Sequence, residues 1–526
     1  MRDLYFFSSN RAKLAHLKHI ARRFGLEVHG FRELSYMGPY QEPQIRDRKK
    51  LLFESYQSAS EKWKKFHGEN DSRIFILEDT SVSIDALSTL DEVPGVDVKY
   101  WMKDMTFQKL DKLLKDNGNN RSATVRSDLI AHIPKKLRSV IGSGDSFIWV
   151  HDETQGRITE IERSIKTNIV YPWLDGSSFN KWFIPKNYEM PMSALNIQDA
   201  DKCDFRAKVF EKLVNKFQGV LAPEPEEHLV EQLLLPGLAP AEPPILIIAG
   251  YSCAGKSLLA TWLSDQYGLL HLEASDYMWQ AYWERHGMNS NVKIIDFALE
   301  ALKVEPWIAA RSIARDIKRI AYPATVITGF RSPYEITELQ KELDTYRPVK
   351  IIFIDAEFDI RMSRALARNR ENQTQNNLQD RDAKEFEMGL NDIRLLKNIF
   401  YINNNYKNKI NYFNEFLKTW NKDIISIHKM IENCTPLTIG NLEQLILISL
   451  LNLKKSEYLT TTQIAASIEY FYNESKSKNN VSRYFNQEFH PFYKAEQIEG
   501  KTSYRLSTTG NSVAKLLETI REYNKN

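Results

Sequence analysis

The run Gly250-Tyr251-Ser252-Cys253-Ala254-Gly255-Lys256-Ser257 satisfies the pattern G-x-x-x-x-G-K-[ST] in full, and its flanks suit the pattern. Ile245-Leu246-Ile247-Ile248-Ala249 before it reads as a parallel strand buried on both faces. Leu258-Leu259-Ala260-Thr261-Trp262-Leu263 after it opens a helix. Glycines at both ends let the backbone curl so that successive N–H groups converge on one anion, and the helix N-terminus adds positive potential. On this reading Gly250, Cys253, Ala254 and Gly255 contact a triphosphate, Lys256 reaches its β- and γ-phosphates, and the Ser257 hydroxyl ligates Mg²⁺. A mere glycine turn before Lys-Ser would need neither flank. ATP with Mg²⁺ is the expected ligand.

At 526 residues the chain exceeds one ordinary core and divides into roughly three domains. Apolar residues at 42% and charged residues at 26% describe a globular protein. The net charge of +3 argues neither for nor against nucleic acid, so any basic surface must be local. Cys203, Cys253 and Cys434 are too dispersed for a disulfide framework or zinc site, which suits a reducing compartment. The opening Met1–Phe7 carries no signal-peptide pattern, and no apolar run is long enough to span a bilayer. A cytoplasmic protein without a membrane partner is expected.

Proline density between Leu221 and Pro244 marks a stiff connector, 221–243, and a second seam falls near Ser426–Gly440. The domains expected are 1–220, 244–425 and 440–526. In the middle domain, Ala324–Thr328 and Val349–Ile354 are short, β-branched and apolar, and helical segments separate them. That alternation predicts a doubly wound parallel sheet with its ligand at the carboxyl ends of the strands. Arg361, Arg364 and Arg368 share one helical face, with Arg370 and Arg381 following. They form either a phosphate-gripping lid or a solvated helix balanced by Asp359, Glu371 and Asp380.

Together with Glu273-Ala274-Ser275-Asp276, Thr328-Gly329-Phe330-Arg331-Ser332, Arg381-Asp382 and Ile402-Asn403, these motifs resemble the nucleoside/nucleotide monophosphate kinase superfamily over about residues 244–420. Within it they are most similar to the dephospho-coenzyme A kinase-like branch. The resemblance implies a transferase that moves the ATP γ-phosphate to a nucleotide acceptor, with a deoxynucleoside monophosphate the first expectation. It implies that Arg331 grips the acceptor and that Arg364 and Arg368 belong to the lid over ATP. Asp276 is either base or positioner at the acceptor, or a helix cap.

Residues 1–220 hold a second constellation. Ser8-Ser9-Asn10-Arg11-Ala12-Lys13 follows a first strand and opens a helix, a place where donors can hold a triphosphate. Ile74-Phe75-Ile76-Leu77 is a strand expected to end at Glu78-Asp79-Thr80, where paired carboxylates serve either a metal and a water or a simple acidic turn. With Ile84–Leu87, Val93–Val96, Lys99, Gly156-Arg157-Ile158, Trp173-x-Asp175 and Phe183-Ile184-Pro185, the segment resembles the Ham1 / inosine triphosphate pyrophosphatase family. That family hydrolyses non-canonical purine triphosphates such as ITP, dITP and XTP to monophosphate and pyrophosphate.

The resemblance implies that Ser8, Asn10, Lys13 and Lys99 contact the triphosphate, Glu78 holds Mg²⁺ and Asp79 serves the attacking water. It implies that Trp173 and Asp175 frame the base, that Arg206 contacts substrate, and that this domain pairs into a homodimer. Departures from the family are plain. Its Ser-His-Arg appears as Asp204-Phe205-Arg206, its second metal-binding glutamate has only Glu42 as nearest candidate, and Ser177–Trp182 enlarges the base-side loop.

From Gly440 the pattern is a small α+β winged helix, with a recognition helix around Asn480–Glu488 and a wing over Phe492–Leu506. Lys476, Lys478, Arg483, Lys501 and Arg505 suit phosphate contacts, while Glu474, Glu488, Glu496 and Glu499 dilute the patch. Its partner is therefore DNA or another protein. The whole is expected to be an α/β multidomain enzyme of nucleotide metabolism, a hydrolase joined to a kinase. The rival is a nucleotide sensor with a degenerate pocket, signalling through the winged helix in settings such as phage defence.

Overall fold

The computed structural model describes residues 3–8, 10–31, 43, 45–217, 220–221, 244–288, 290–322, 324–343, 348–367, 375–431, 439–452, 457–472, 474, 478–487 and 490–523. Glu42, Arg368, Cys434 and all of the 221–243 connector except Leu221 lie outside them. The chain divides into two units, Met1–Leu233 and Leu234–Asn526.

The first unit is built on a seven-stranded mixed sheet of order β2-β1-β3-β5-β6-β7, with β4 also on β3. Its strands are β1 (Asp3–Phe6), β2 (Glu27–Gly30), β3 (Ile74–Ile84), β4 (Pro94–Gly95), β5 (Ser122–His132), β6 (Phe147–Ile158) and β7 (Phe183–Pro185). β1, β2 and β3 run parallel, and the remaining pairs are antiparallel. The strand expected to stop at Glu78-Asp79-Thr80 instead continues to Ile84. Antiparallel pairing with β5 satisfies its backbone throughout, from Ile76↔Ala131 to Ile84↔Ala123, so the polar triplet lies mid-strand.

Two helices supply the rest of this unit's site. Arg11–Arg22 is started by the Asn10 side chain, which accepts from Lys13 N, and buries His16, Leu17, Ile20 and Ala21. Phe205–Lys216 is started by Asp204 and packs Val209, Phe210 and Leu213 into the same core as Leu4, Phe6 and Ile76.

In the second unit, β8 (Ile245–Ala249), β9 (Leu270–Glu273), β10 (Thr325–Thr328), β11 (Val349–Asp355) and β12 (Ile399–Asn403) form an all-parallel sheet of order β12-β11-β8-β10-β9. All five residues of β8 are buried, as the continuous apolar run requires. After β8 the chain fills one side of the sheet and then returns to the other, so the loop Gly250–Gly255 leaves β8 at the topological switch point. Helix Lys409–Ile431 runs past the boundary expected at 425, because Tyr412, Phe416, Trp420 and Ile424 keep one face buried at four-residue spacing.

The same unit holds a C-terminal module: helices Asn441–Leu451, Thr461–Tyr472, Lys478–Gln487 and Thr508–Tyr523 around a three-stranded sheet β13-β15-β14. Here β13 is Leu459–Thr460, β14 is Tyr493–Ile498 and β15 is Lys501–Leu506. Glu499 (φ 49°) and Gly500 (φ 73°) make the tight two-residue turn between β14 and β15. Among the described residues no helix is long and apolar enough to cross a membrane.

Candidate functional site

The first unit gathers its charges around Glu78. Its side chain is fully buried at the centre of β3, yet it is ringed by donors. Thr80 Oγ1 donates to Glu78 Oε1 at 2.7 Å, Ser127 Oγ at 2.8 Å and Arg206 Nε at 3.1 Å. Lys13 Nζ lies 3.3 Å from Oε2 and 3.5 Å from Asp79 Oδ1. Burial alone would raise the Glu78 pKa, but the Arg206 and Lys13 charges and the two hydroxyls bring it down to about 2. The carboxylate is therefore ionised at neutral pH. Its Oε2 nevertheless receives no hydrogen bond from the described residues, although it is fully buried.

Arg206 is held from the far side as well. Its second terminal nitrogen donates to Thr80 Oγ1 at 2.7 Å, and its first lies 3.3 Å from His16 Nδ1. His16 Nε2 makes a short contact with Asp204 Oδ2, so its proton belongs on Nε2, leaving Nδ1 to accept from Arg206. Desolvation lowers the His16 pKa and favours this neutral form. Asp204 Oδ1 meanwhile caps its own helix through Arg206 N at 2.7 Å.

Other expected residues in this unit are dispersed around that centre. Ser8 Oγ accepts from Asn10 N at 3.1 Å, and Asn10 caps the helix that carries Lys13. Trp173 is buried with its ring stacked on His16 at 4.8 Å and 8°. Asp175 accepts from Ser177 N, Ser177 Oγ and Ser178 N within its own turn. Lys99 is exposed on helix Val98–Asp104 and makes none of the described contacts with Glu78 or Asp79.

In the second unit the loop Gly250–Gly255 is shaped by close approaches. A Cβ on Gly250 (φ +140°) would lie 2.1 Å from Ile354 O, and one on Gly255 (φ +115°) 2.3 Å from Asn404 Nδ2. Asn404 Nδ2 donates to Ala254 O at 2.7 Å. Arg364 donates to Ala254 O at 3.3 Å, Cys253 O at 3.4 Å and Asn404 O at 2.8 Å, so this arginine braces the loop from behind. Arg361 is likewise turned inward, onto Asp382 at 2.9 and 2.7 Å.

Lys256 Nζ donates to Gly250 O at 2.6 Å and Tyr251 O at 2.8 Å. Desolvation pulls its pKa down to about 8, with Glu385 opposing. Glu385 itself meets the loop: it accepts from Ser252 N at 3.1 Å and Ser252 Oγ at 2.9 Å. Arg331 and Arg381 flank it, at 3.3 and 3.6 Å. Glu385 is thus held by one backbone N–H, one hydroxyl and two arginines, donors of the kind that a phosphate oxygen accepts from.

The loop opens into a cavity of about 680 Å³ lined by Lys256, Ser257, Asp276, Trp279, Arg331 and Lys494 among others. Asp276 is buried, and its Oδ2 accepts from Thr509 N at 2.9 Å, at the start of helix Thr508–Tyr523. Desolvation and the neighbouring Glu273 raise its pKa to about 6.

The sequence offered no local signal for His16, Ser127, Glu385, Asn404 or Lys494. Each enters through tertiary pairing rather than a contiguous motif; His16 and Asp204, for example, are 188 positions apart. Register could have found Ser127, because β5 pairs it directly with Thr80.

Known proteins fit this picture unevenly. No curated protein matches the chain. Among solved structures, the Staphylococcus aureus Ham1 protein is 17% identical, covers 41% of this chain and 99% of its own, and has a TM-score of 0.30. A nucleoside-triphosphatase / dITP/XTP pyrophosphatase from Mycobacterium abscessus is 18% identical, with 40% and 97% covered and a TM-score of 0.29. A sugar kinase from Janibacter is 17% identical, with 35% and 98% covered and a TM-score of 0.25. The model of the Ham1 family matches residues 4–216, the segment that holds Lys13, Glu78, Asp79 and Arg206. This part of the chain is a Ham1 family domain.

Proposed function

We propose that the Ham1 domain hydrolyses non-canonical purine nucleoside triphosphates (ITP, dITP and XTP) to monophosphate and pyrophosphate. The observation that carries this reading is the buried Glu78, ionised between Lys13 and Arg206 with one oxygen lacking a hydrogen bond, next to Asp79 on the same strand. Hard carboxylate oxygens in that number suit Mg²⁺, which takes one or two protein carboxylates and completes its shell with phosphate and water. Glu78 would hold it, and the ion would neutralise charge on the triphosphate. Lys13 and Arg206 place positive charge beside the same carboxylates, where a triphosphate would lie. Asp79, partly exposed and beside Lys13, would take a proton from the attacking water. Trp173 and Asp175 would frame the base, as the family resemblance implies.

The second unit is read as a kinase that transfers the ATP γ-phosphate to a nucleoside monophosphate. Support comes from the Gly250–Ser257 loop at the switch point and from the cavity that joins it to Arg331 and Asp276. A hydrolase that releases monophosphates and a kinase that consumes them would then share one pool. The sensor reading has its own observation: Asp204-Phe205 stands where the family carries Ser-His, and Asp204 is engaged by His16, whose ring stacks on Trp173.

Chromatography of products decides between these readings. The hydrolase predicts pyrophosphate and IMP from ITP, reduced about 100-fold or more in Asp79→Asn. The kinase predicts ADP formation from ATP with a monophosphate, lost in Lys256→Ala. Binding at either site without product would favour the sensor.

A further inference from the structure

The C-terminal module is built into the second unit along the edge of its parallel sheet. β9 is the edge strand, so its outward N–H groups need partners. Helix Thr508–Tyr523 supplies them: Ser512 Oγ accepts from His271 N at 2.8 Å, and Thr509 Oγ1 accepts from Glu273 N at 2.9 Å. Residues three apart on a helix thus cap alternate N–H groups of a strand. Asp276 returns the contact by accepting from Thr509 N. Farther along, Arg319 pairs with Asp316 at 3.1 Å and with Glu443 at 3.2 Å, and Glu443 also accepts from Tyr484 Oη at 3.0 Å.

This seam fixes where β14 lies, and β14 carries Lys494 to the wall of the cavity that Lys256, Ser257 and Arg331 line. The other cations on that wall are already engaged. Arg331 and Arg381 face Glu385, Lys384 pairs with Asp296 at 2.8 Å, and Lys256 is held by loop carbonyls. The Lys494 ammonium makes no side-chain hydrogen bond or ion pair among the described residues, and its positive charge acts on Asp276 of the same wall. Met278, Trp279, Ile294, Ile295 and Leu302 on the same lining supply apolar surface suited to a planar ring.

We propose that the C-terminal module completes the acceptor pocket of the phosphoryl-transfer site, with Lys494 binding the phosphate of a nucleoside monophosphate whose base lies on the Trp279 side. This rests on the kinase reading above. The reaction breaks the bond between the γ-phosphorus of ATP and its bridging oxygen. It forms a bond from that phosphorus to an acceptor phosphate oxygen, and ADP leaves. Lys494 takes no part in the transfer; it is a positioning residue for the acceptor.

The test uses the full chain, with ATP and with dIMP or dGMP as acceptor probes. ATP binding, acceptor affinity and steady-state kinetics would be measured for wild type, Lys494→Ala, Lys494→Arg and the turn variant Lys501→Ala. The proposal expects Lys494→Ala to raise the acceptor KM about tenfold or more, with kcat and ATP affinity within about threefold of wild type. Lys494→Arg should restore most of the affinity, and Lys501→Ala should match wild type. Unchanged acceptor KM in Lys494→Ala would overturn the proposal while leaving the kinase reading intact. ATP binding without binding of either monophosphate would overturn the acceptor chemistry. Failure of wild type to bind ATP would instead overturn the kinase reading and this proposal with it.

Discussion

Glu78 is held ionised by Lys13 and Arg206 in a place where burial opposes charge, and that has a measurable pH consequence. A carboxylate with a folded pKa of about 2 against an ordinary 4.5 contributes stability that is fully present above 4.5 and lost as pH falls through 2. The shift corresponds to an order of magnitude of about 3 kcal/mol. Acid titration of the Ham1 domain's melting transition should show that loss between about pH 4.5 and 2, and Glu78→Gln should flatten it while lowering stability at pH 7. Equal pH slopes in the two proteins would contradict the assignment.

Lys256 runs the other way. Its pKa of about 8 means that its ammonium, the form that binds phosphate, is lost as pH rises past 8. ATP affinity should weaken about tenfold between pH 7 and 9, measured by calorimetry. A flat profile would mean that the ammonium does not meet the phosphates. Glu385 accepts from Ser252 N and pairs with Arg331, donors that the kinase reading gives to a phosphate, so on that reading Glu385→Ala should bind ATP about tenfold more tightly. Weaker binding would show that the carboxylate helps hold ATP instead.

Among the elements, helix Thr508–Tyr523 carries a test of how firmly the C-terminal module is seated. A Cβ on Gly510 would lie 1.9 Å from Phe492 O, an approach that no small side-chain adjustment relieves. Gly510→Ala should lower the second unit's melting stability by about 2 kcal/mol or more, read by calorimetry. An unchanged transition would mean that the helix shifts freely against its neighbours.

This scale also separates what sequence shows from what it hides. The Gly250–Ser257 loop was legible because its glycines, lysine and serine are contiguous and flanked by a strand and a helix. The Glu78-Asp79 strand was legible in position, but its extent was not. An alternating polar stretch looks like a strand end until β5 is known to satisfy its backbone. Tertiary partners were invisible for a different reason: a glutamate 133 positions from Ser252 has no local pattern that aims it at the loop. The engagement of Asp276 with Thr509 was hidden in the same way, since the two lie 233 positions apart.

Over the whole molecule, the Ham1 domain and the second unit each hold their own cluster of charges, with no residue shared between the two among the described residues. The two proposed activities are therefore expected to be separable. Lys256→Ala should leave triphosphate hydrolysis within about twofold of wild type while abolishing ADP formation. Asp79→Asn should do the reverse. A substitution in one cluster that silenced both activities would show a coupling that the two separate clusters do not predict.

Cleavage of a triphosphate between its α- and β-phosphates by the Ham1 domain is read from the identity of the products. ITP, dITP, XTP, ATP and GTP would be incubated with Mg²⁺ and the full chain, then resolved by chromatography with pyrophosphate and phosphate measured separately. The account predicts pyrophosphate and monophosphate in equal amounts from ITP, dITP and XTP, in Lys256→Ala as in wild type. No product, or diphosphate with inorganic phosphate, would contradict it.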